Sequence, residues 1–318
     1  MTAQPSLPPP DGAWRPAPDA AGFAPYETAL HQAAGDLYKR LRRDGIVDPA
    51  DTIFSAPTVP RRRPSPRHSR FKEAWPLGDW AETALLASIA AEPKLTAERL
   101  DADNTGLQAG SPAFADAFLH RCVESASAGK RPDLLVHHAG GEPLGAIEVR
   151  ASRYHVGQHL AYRAKIKAKT SIDARIAMDE AARPEAPGLG FTIKLEDLRG
   201  IYHWITHCRL PQMQVQVFLD RAYAINSLRA FELLAYCPER AVSRRSARSQ
   251  NKPTFYIPLD EGVEIGVFSP EPALSAEPFL HDDGKAGATF LPSGGTLVVN
   301  ASALREELQP HRPSVPDL

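Results

Sequence analysis

Between Pro132 and Tyr162 the chain sets acids and a cation where two short strands would bring them together. Asp133 opens one apolar run, and Ala139-Gly140-Gly141 supplies a turn. A second apolar run, Leu144 to Ala151, carries Glu148 and Arg150 two residues apart. Side chains alternate along a strand, so Glu148 and Arg150 share one face and Ile147 and Val149 the other. A hairpin, or two adjacent strands, then brings Asp133 close to Glu148. Two carboxylates beside a cation suit phosphoryl chemistry: carboxylate oxygens hold Mg2+, and the cation steadies charge developing on a phosphate.

Further candidates stand before and after this stretch. Gly78 to Glu92 is rich in Ala, Leu and Glu and reads as a helix. Glu82 falls on one stripe with Leu85, Leu86 and Ile89, where a carboxylate needs a partner. Asp79 and Glu82 also read as a capping box, D-x-x-E, at the start of that helix. Val156 to Lys169 reads as a second helix, with Gln158, Tyr162 and Lys165 on one face. His155 and His159 are spaced for a shared metal but lack a third ligand or an HExxH partner.

Two stretches are basic without an intervening acid. Pro60 to Lys72 holds Arg61, Arg62, Arg63, Arg67, Arg70 and Lys72, and its prolines favour an extended arm. Such an arm suits DNA phosphates or the minor groove, and a solvated linker has the same composition. Arg240 to Pro258 carries Arg244, Arg245, Arg248 and Lys252 among Ser, Gln250, Asn and Thr254. These side chains read major-groove edges and grip phosphates, although a charged surface loop reads alike.

Pro132-Asp133 followed by Glu148-Val149-Arg150 resembles the PD-(D/E)xK nuclease superfamily, to which most type II restriction endonucleases belong. Arg150 stands where that family has Lys. The resemblance spans about residues 76–260. It implies an α/β fold: a restriction endonuclease-like core with a central mixed sheet flanked by helices, here with N- and C-terminal extensions. It also implies Mg2+-dependent, sequence-specific hydrolysis of double-stranded DNA by a homodimer, with no organic cofactor. Asp133 and Glu148 would hold the metal, and Glu82 would assist from the first core helix. Gln158-x-x-x-Tyr162 resembles the QxxxY element of RecB-like members, which helps orient the active site and contact DNA. The late basic stretch loosely resembles the segment before a late strand in several restriction enzymes.

An Arg stays protonated at neutral pH, so Arg150 cannot take a proton from water, although it can stabilise phosphorane charge. Three readings follow: the metal alone activates the water, Lys165 supplies the missing ammonium, or the fold is a non-catalytic DNA-binding module. A non-nucleic-acid α/β protein with incidental basic loops is a further alternative.

The elements that must position these groups are partly legible. The 318 residues, 43% hydrophobic, suffice for one large domain or two small ones. A formal net charge of -1 argues against a uniformly basic coat but allows local patches. Cys122, Cys208 and Cys237 are widely spaced and form no CxxC pair, which fits a reducing cytoplasm. The expected divisions are a disordered Pro-rich tail at 1–25, an N-terminal helix and basic arm at 26–75, a nuclease-like domain at 76–270, and an extension at 271–318. Helices are expected at Tyr26 to Arg43, Ser111 to Ser127 and Arg221 to Tyr236, and strands at Gln212 to Leu219 and Thr296 to Val299. Phe191 to His207 mixes strand and helix signals. The sequence has neither a secretory signal nor a run long enough to cross a bilayer. Motifs for NTP hydrolysis, dinucleotide binding and serine hydrolysis are absent.

Overall fold

The computed structural model describes residues 23–46, 70–100, 132–159, 189–237, 242–246, 252–280 and 286–311. Arg61, Arg62, Arg63, Tyr162, Lys165, Arg248 and Gln250 lie outside them, as does the helix expected at Ser111 to Ser127.

Among the described residues the main sheet has seven strands, in the order β1 (Leu95–Arg99), β2 (Leu134–His138), β3 (Pro143–Ala151), β5 (Gln212–Val217), β6 (Arg221–Asn226), β9 (Val263–Phe268) and β12 (Leu297–Val299). β3 and β5 run parallel, and the other neighbouring pairs are antiparallel, so the sheet is mixed. Helices cover both faces. On one lie α1 (Phe23–Arg43), α3 (Leu195–Cys208) and α4 (Ser227–Tyr236), whose apolar stripes close over Leu135, Ala146 and Ile225. On the other, α2 (Arg70–Ala90) and α5 (Ala301–Glu307) pack with Ile147, Val149, Met213, Val215 and Val217. This is the central mixed sheet flanked by helices that the resemblance implies. Among the described residues no helix is long and apolar enough to cross a membrane.

A second, three-stranded sheet orders β4 (Gly190–Lys194), β8 (Lys252–Pro258) and β7 (Val242–Ser246). Phe191, Ile193, Phe255 and Ile257 join it to the core beneath α3. Gly262 allows the close approach at this junction: a Cβ there would stand 2.3 Å from the Ala224 carbonyl oxygen and 2.6 Å from the Phe191 ring.

Several elements differ from the sequence reading. The helix expected from Gly78 begins at Arg70 and passes through Pro76 and Gly78, so Asp79 lies inside it and caps nothing. Its carboxylate instead accepts from Arg99 Nη1 at 2.9 Å. Arg70 and Lys72 therefore sit on a helix rather than on an extended arm. Arg221 to Tyr236 is not one helix: Arg221–Asn226 pairs as β6, and Asn226 then caps α4 by accepting from the Leu228 N–H. The alternating β5 buries all six residues, its glutamines as well as Met213, Val215 and Val217, because helices cover both faces. Within the extension expected at 271–318, β10 (Ala273–Leu280) and β11 (Ala286–Ser293) form a hairpin that packs against α2.

Beyond β3 the chain turns into a helical stretch at 156–159, anchored by Asp220 just past β5. The Asp220 carboxylate accepts from the Val156 N–H at 2.8 Å, the Gly157 N–H at 3.1 Å and Arg221 Nε at 2.9 Å. Burial raises its pKa, but these donors and His155 outweigh it and hold it below the ordinary carboxylate range. A lowered carboxylate pKa stabilises the fold fully above the unfolded value of about 3.9 and loses that effect as pH falls through the folded value. Asp220→Ala is expected to cost about 1–3 kcal/mol by stranding these donors. Denaturant titrations of both proteins should show the difference at neutral pH and its shrinkage below about pH 4.

Candidate active site

Asp133 lies just before β2, and Glu148 and Arg150 lie near the end of β3. The Asp133 N–H donates to the Ile147 carbonyl at 2.9 Å, and Asp133 Oδ2 accepts from the Val149 N–H at 2.6 Å. Asp133 is thereby fixed beside the residues flanking Glu148, as the sequence reading expects. Glu148 is 2% exposed, yet it points into a polar seam. Its Oε1 lies 3.1 Å from Arg150 Nη2, and the same nitrogen lies 2.7 Å from Asp197 Oδ2.

Asp197 was not anticipated. It sits in the first turn of α3, a helix whose start is set by the end of β4. The glutamines of β5 extend the seam: Gln214 stands opposite Glu148 and Gln216 opposite Arg150. Gln216 Nε2 donates to the Arg150 carbonyl at 3.4 Å, and Gln214 Nε2 donates to Ser227 Oγ at 3.3 Å. Burial pulls the Arg150 pKa down, but Glu148, Asp197, Asp133 and Glu196 outweigh it and raise the pKa above its ordinary value. Arg150 is therefore a fixed cation, with 29% of its side chain exposed for a further anion.

The other expected groups are distributed around this cluster. Glu82 is on α2, so it approaches from the opposite side of the sheet to Glu148 and Arg150. Its Oε2 lies 3.9 Å from Arg99 Nη1, and Arg99 pairs with Leu134, the neighbour of Asp133. Gln158 is exposed on the helical stretch, and its N–H donates to His155 Nδ1 at 3.2 Å. His155 is held by acids: Nδ1 is 3.3 Å from Asp220 and Nε2 is 3.1 Å from Glu271. His159 instead packs edge-on against Tyr154. Arg244 and Arg245 lie on β7, and Lys252 and Thr254 lie on β8.

Among the described residues no group of three or more His, Cys, Asp or Glu side chains is arranged to hold a metal ion. Asp133 and Glu148 nevertheless form a pair of hard oxygen donors, held together by the β2–β3 pairing. That donor set fits Mg2+, which takes one or two carboxylates and fills its remaining positions with water and substrate phosphate.

Residues 185–309 match the family model of the AccI restriction endonuclease. The match starts before β4 and runs through α5, so it includes Asp197, Gln214, Gln216 and the β7–β8 pair. Asp133, Glu148 and Arg150 precede it. The resemblance to AccI and the PD…E-x-R frame thus come from different parts of the chain, and both point to a type II restriction endonuclease-like protein. Neither the curated proteins nor the solved structures yield a match.

Proposed function

We propose that this chain is a restriction-type endonuclease that hydrolyses phosphodiester bonds of double-stranded DNA at a specific sequence. The observation that carries the reading is the Glu148–Arg150–Asp197 cluster beside Asp133, in a chain whose later part resembles AccI.

Each residue has a role that follows from its chemistry. Asp133 and Glu148 would hold Mg2+; Glu82, expected to assist, lies across the sheet beside Arg99 and is not part of this pair. When bound, the ion supplies Lewis acidity and a water of lowered pKa. Arg150 cannot act as a base, so it clamps a phosphate through its planar fork and stabilises charge in the transition state. Asp197 is a positioning residue that fixes the guanidinium. Lys165, outside the described residues, is the candidate for the ammonium that β3 lacks. Arg61, Arg62 and Arg63 would follow phosphates, and Gln158 and Tyr162 would contact DNA. Arg244, Arg245, Arg248, Gln250, Lys252 and Thr254 form the reading segment. Two copies would present one site to each strand, in the cytoplasm.

One observation favours a second reading. Arg150 stands in place of the family's Lys and is already engaged by two carboxylates, an arrangement that also suits a non-catalytic DNA-binding module. Mixed plasmid DNA should be cut to discrete bands with Mg2+ and left intact with EDTA. Binding that falls steeply with salt, without cutting, would support the second reading. Absence of both would remove DNA as the substrate.

A further inference from the structure

The three-stranded sheet β4–β8–β7 has two unlike faces. One buries Phe191, Ile193, Phe255 and Ile257 in the core. Alternation places Thr192 and Lys194 of β4 and Thr254 and Tyr256 of β8 on the other, where all four are partly exposed. The register aligns them in rows: Thr192 pairs with Tyr256, and Lys194 with Thr254. On the far side Thr254 pairs with Arg244, and Ser246 pairs with Lys252. The backbone pairing therefore sets positions 194, 254 and 244 in one row across three strands.

Three strands spaced about 4.8 Å apart are roughly 10 Å across. The B-DNA major groove is about 12 Å wide and accepts a β-ribbon. The Lys194 cation, two hydroxyls and an aromatic ring on one face provide both phosphate attraction and directional contacts to base edges. The basic run of residues 240–258 accounts for only two of the three strands.

We propose that β4 completes a DNA-reading surface, with Lys194 and Thr192 contacting major-groove base edges beside Thr254 and Tyr256. Lys194 is also the residue that precedes α3, and Asp197 in the first turn of that helix grips Arg150. The reading face and the charged cluster are thus joined by a single turn of backbone. The proposal rests on double-stranded DNA being the substrate.

The test is selection of bound duplexes from a randomised library by the full chain in Ca2+. Wild type is compared with Lys194→Gln, Thr192→Val and, as a surface control on α1, Lys39→Gln. Wild type and Lys39→Gln are expected to select the same sequence. Lys194→Gln and Thr192→Val should each relax one or two base positions, with cognate affinity falling roughly 5- to 150-fold and affinity for random duplex nearly unchanged. Because Thr192→Val is isosteric, it keeps the test valid if Lys194→Gln perturbs the start of α3. Unchanged base preference in both variants would overturn the proposal while leaving the nuclease reading intact. Equal losses on cognate and random duplexes would overturn it too, by reducing β4 to a phosphate contact. A wild type that binds no DNA would overturn both.

Discussion

Glu148→Gln and Asp133→Asn are each expected to slow DNA cleavage by at least about a hundredfold, the scale of losing one preorganised electrostatic contact to a transition state. Specific binding in Ca2+ should stay within a few-fold of wild type. The two changes are shape-conserving. An Asn at 133 keeps an oxygen for the Val149 N–H, and a Gln at 148 keeps one for Arg150. What each removes is negative charge, which would hold a divalent cation; at Glu148 that charge also pairs with Arg150, which keeps Asp197. Melting temperatures measured alongside the rates separate lost chemistry from lost structure.

Arg150 gives the second large effect, and it has two parts. Arg150→Ala strands the Glu148 carboxylate, which is 2% exposed, and leaves Asp197 without its cation. Breaking a buried pair from one side costs about 3–5 kcal/mol, and the partial exposure of the Arg150 side chain places this case near the lower figure. The variant should therefore melt earlier and lose cleavage. Arg150→Lys restores a cation of the family's usual type and should retain measurable cleavage. Asp197→Asn should lower kcat more than it raises KM, because the clamp is loosened without removing the cation that attracts DNA. Equal rates for Arg150→Ala and wild type on pre-bound DNA would remove Arg150 from the chemistry.

The β3 strand was legible because one of its faces is plainly apolar. Ile147 and Val149 face the α2 side, which leaves Glu148 and Arg150 together on the other. α1 was legible for the same reason, since Leu30, Ala34, Leu37 and Leu41 form one buried stripe. Asp197 was not. It lies 47 residues from Arg150 in the chain, and no local spacing marks a partner supplied by a different helix. β6 was hidden because Arg221 to Asn226 continues into α4 without a Gly or Pro to divide them. Alternation marks Met213, Val215 and Val217 as a buried face of β5, and only the helices above the other face make its glutamines buried neighbours of the cluster. The Asp79 capping box failed because α2 starts at Arg70, about two turns before the expected start at Gly78.

The β2–β3 carboxylates are proposed to serve the chemical step. The direct measurement is single-turnover cleavage: wild type and Glu148→Gln are bound to cognate DNA in metal-free buffer, and the reaction is started with Mg2+. Wild type is expected to cleave, Glu148→Gln to cleave more slowly by about a hundredfold or more, and both to hold equal amounts of bound DNA at the start. A wild-type rate for Glu148→Gln, or cleavage that proceeds undiminished in EDTA, would contradict that role.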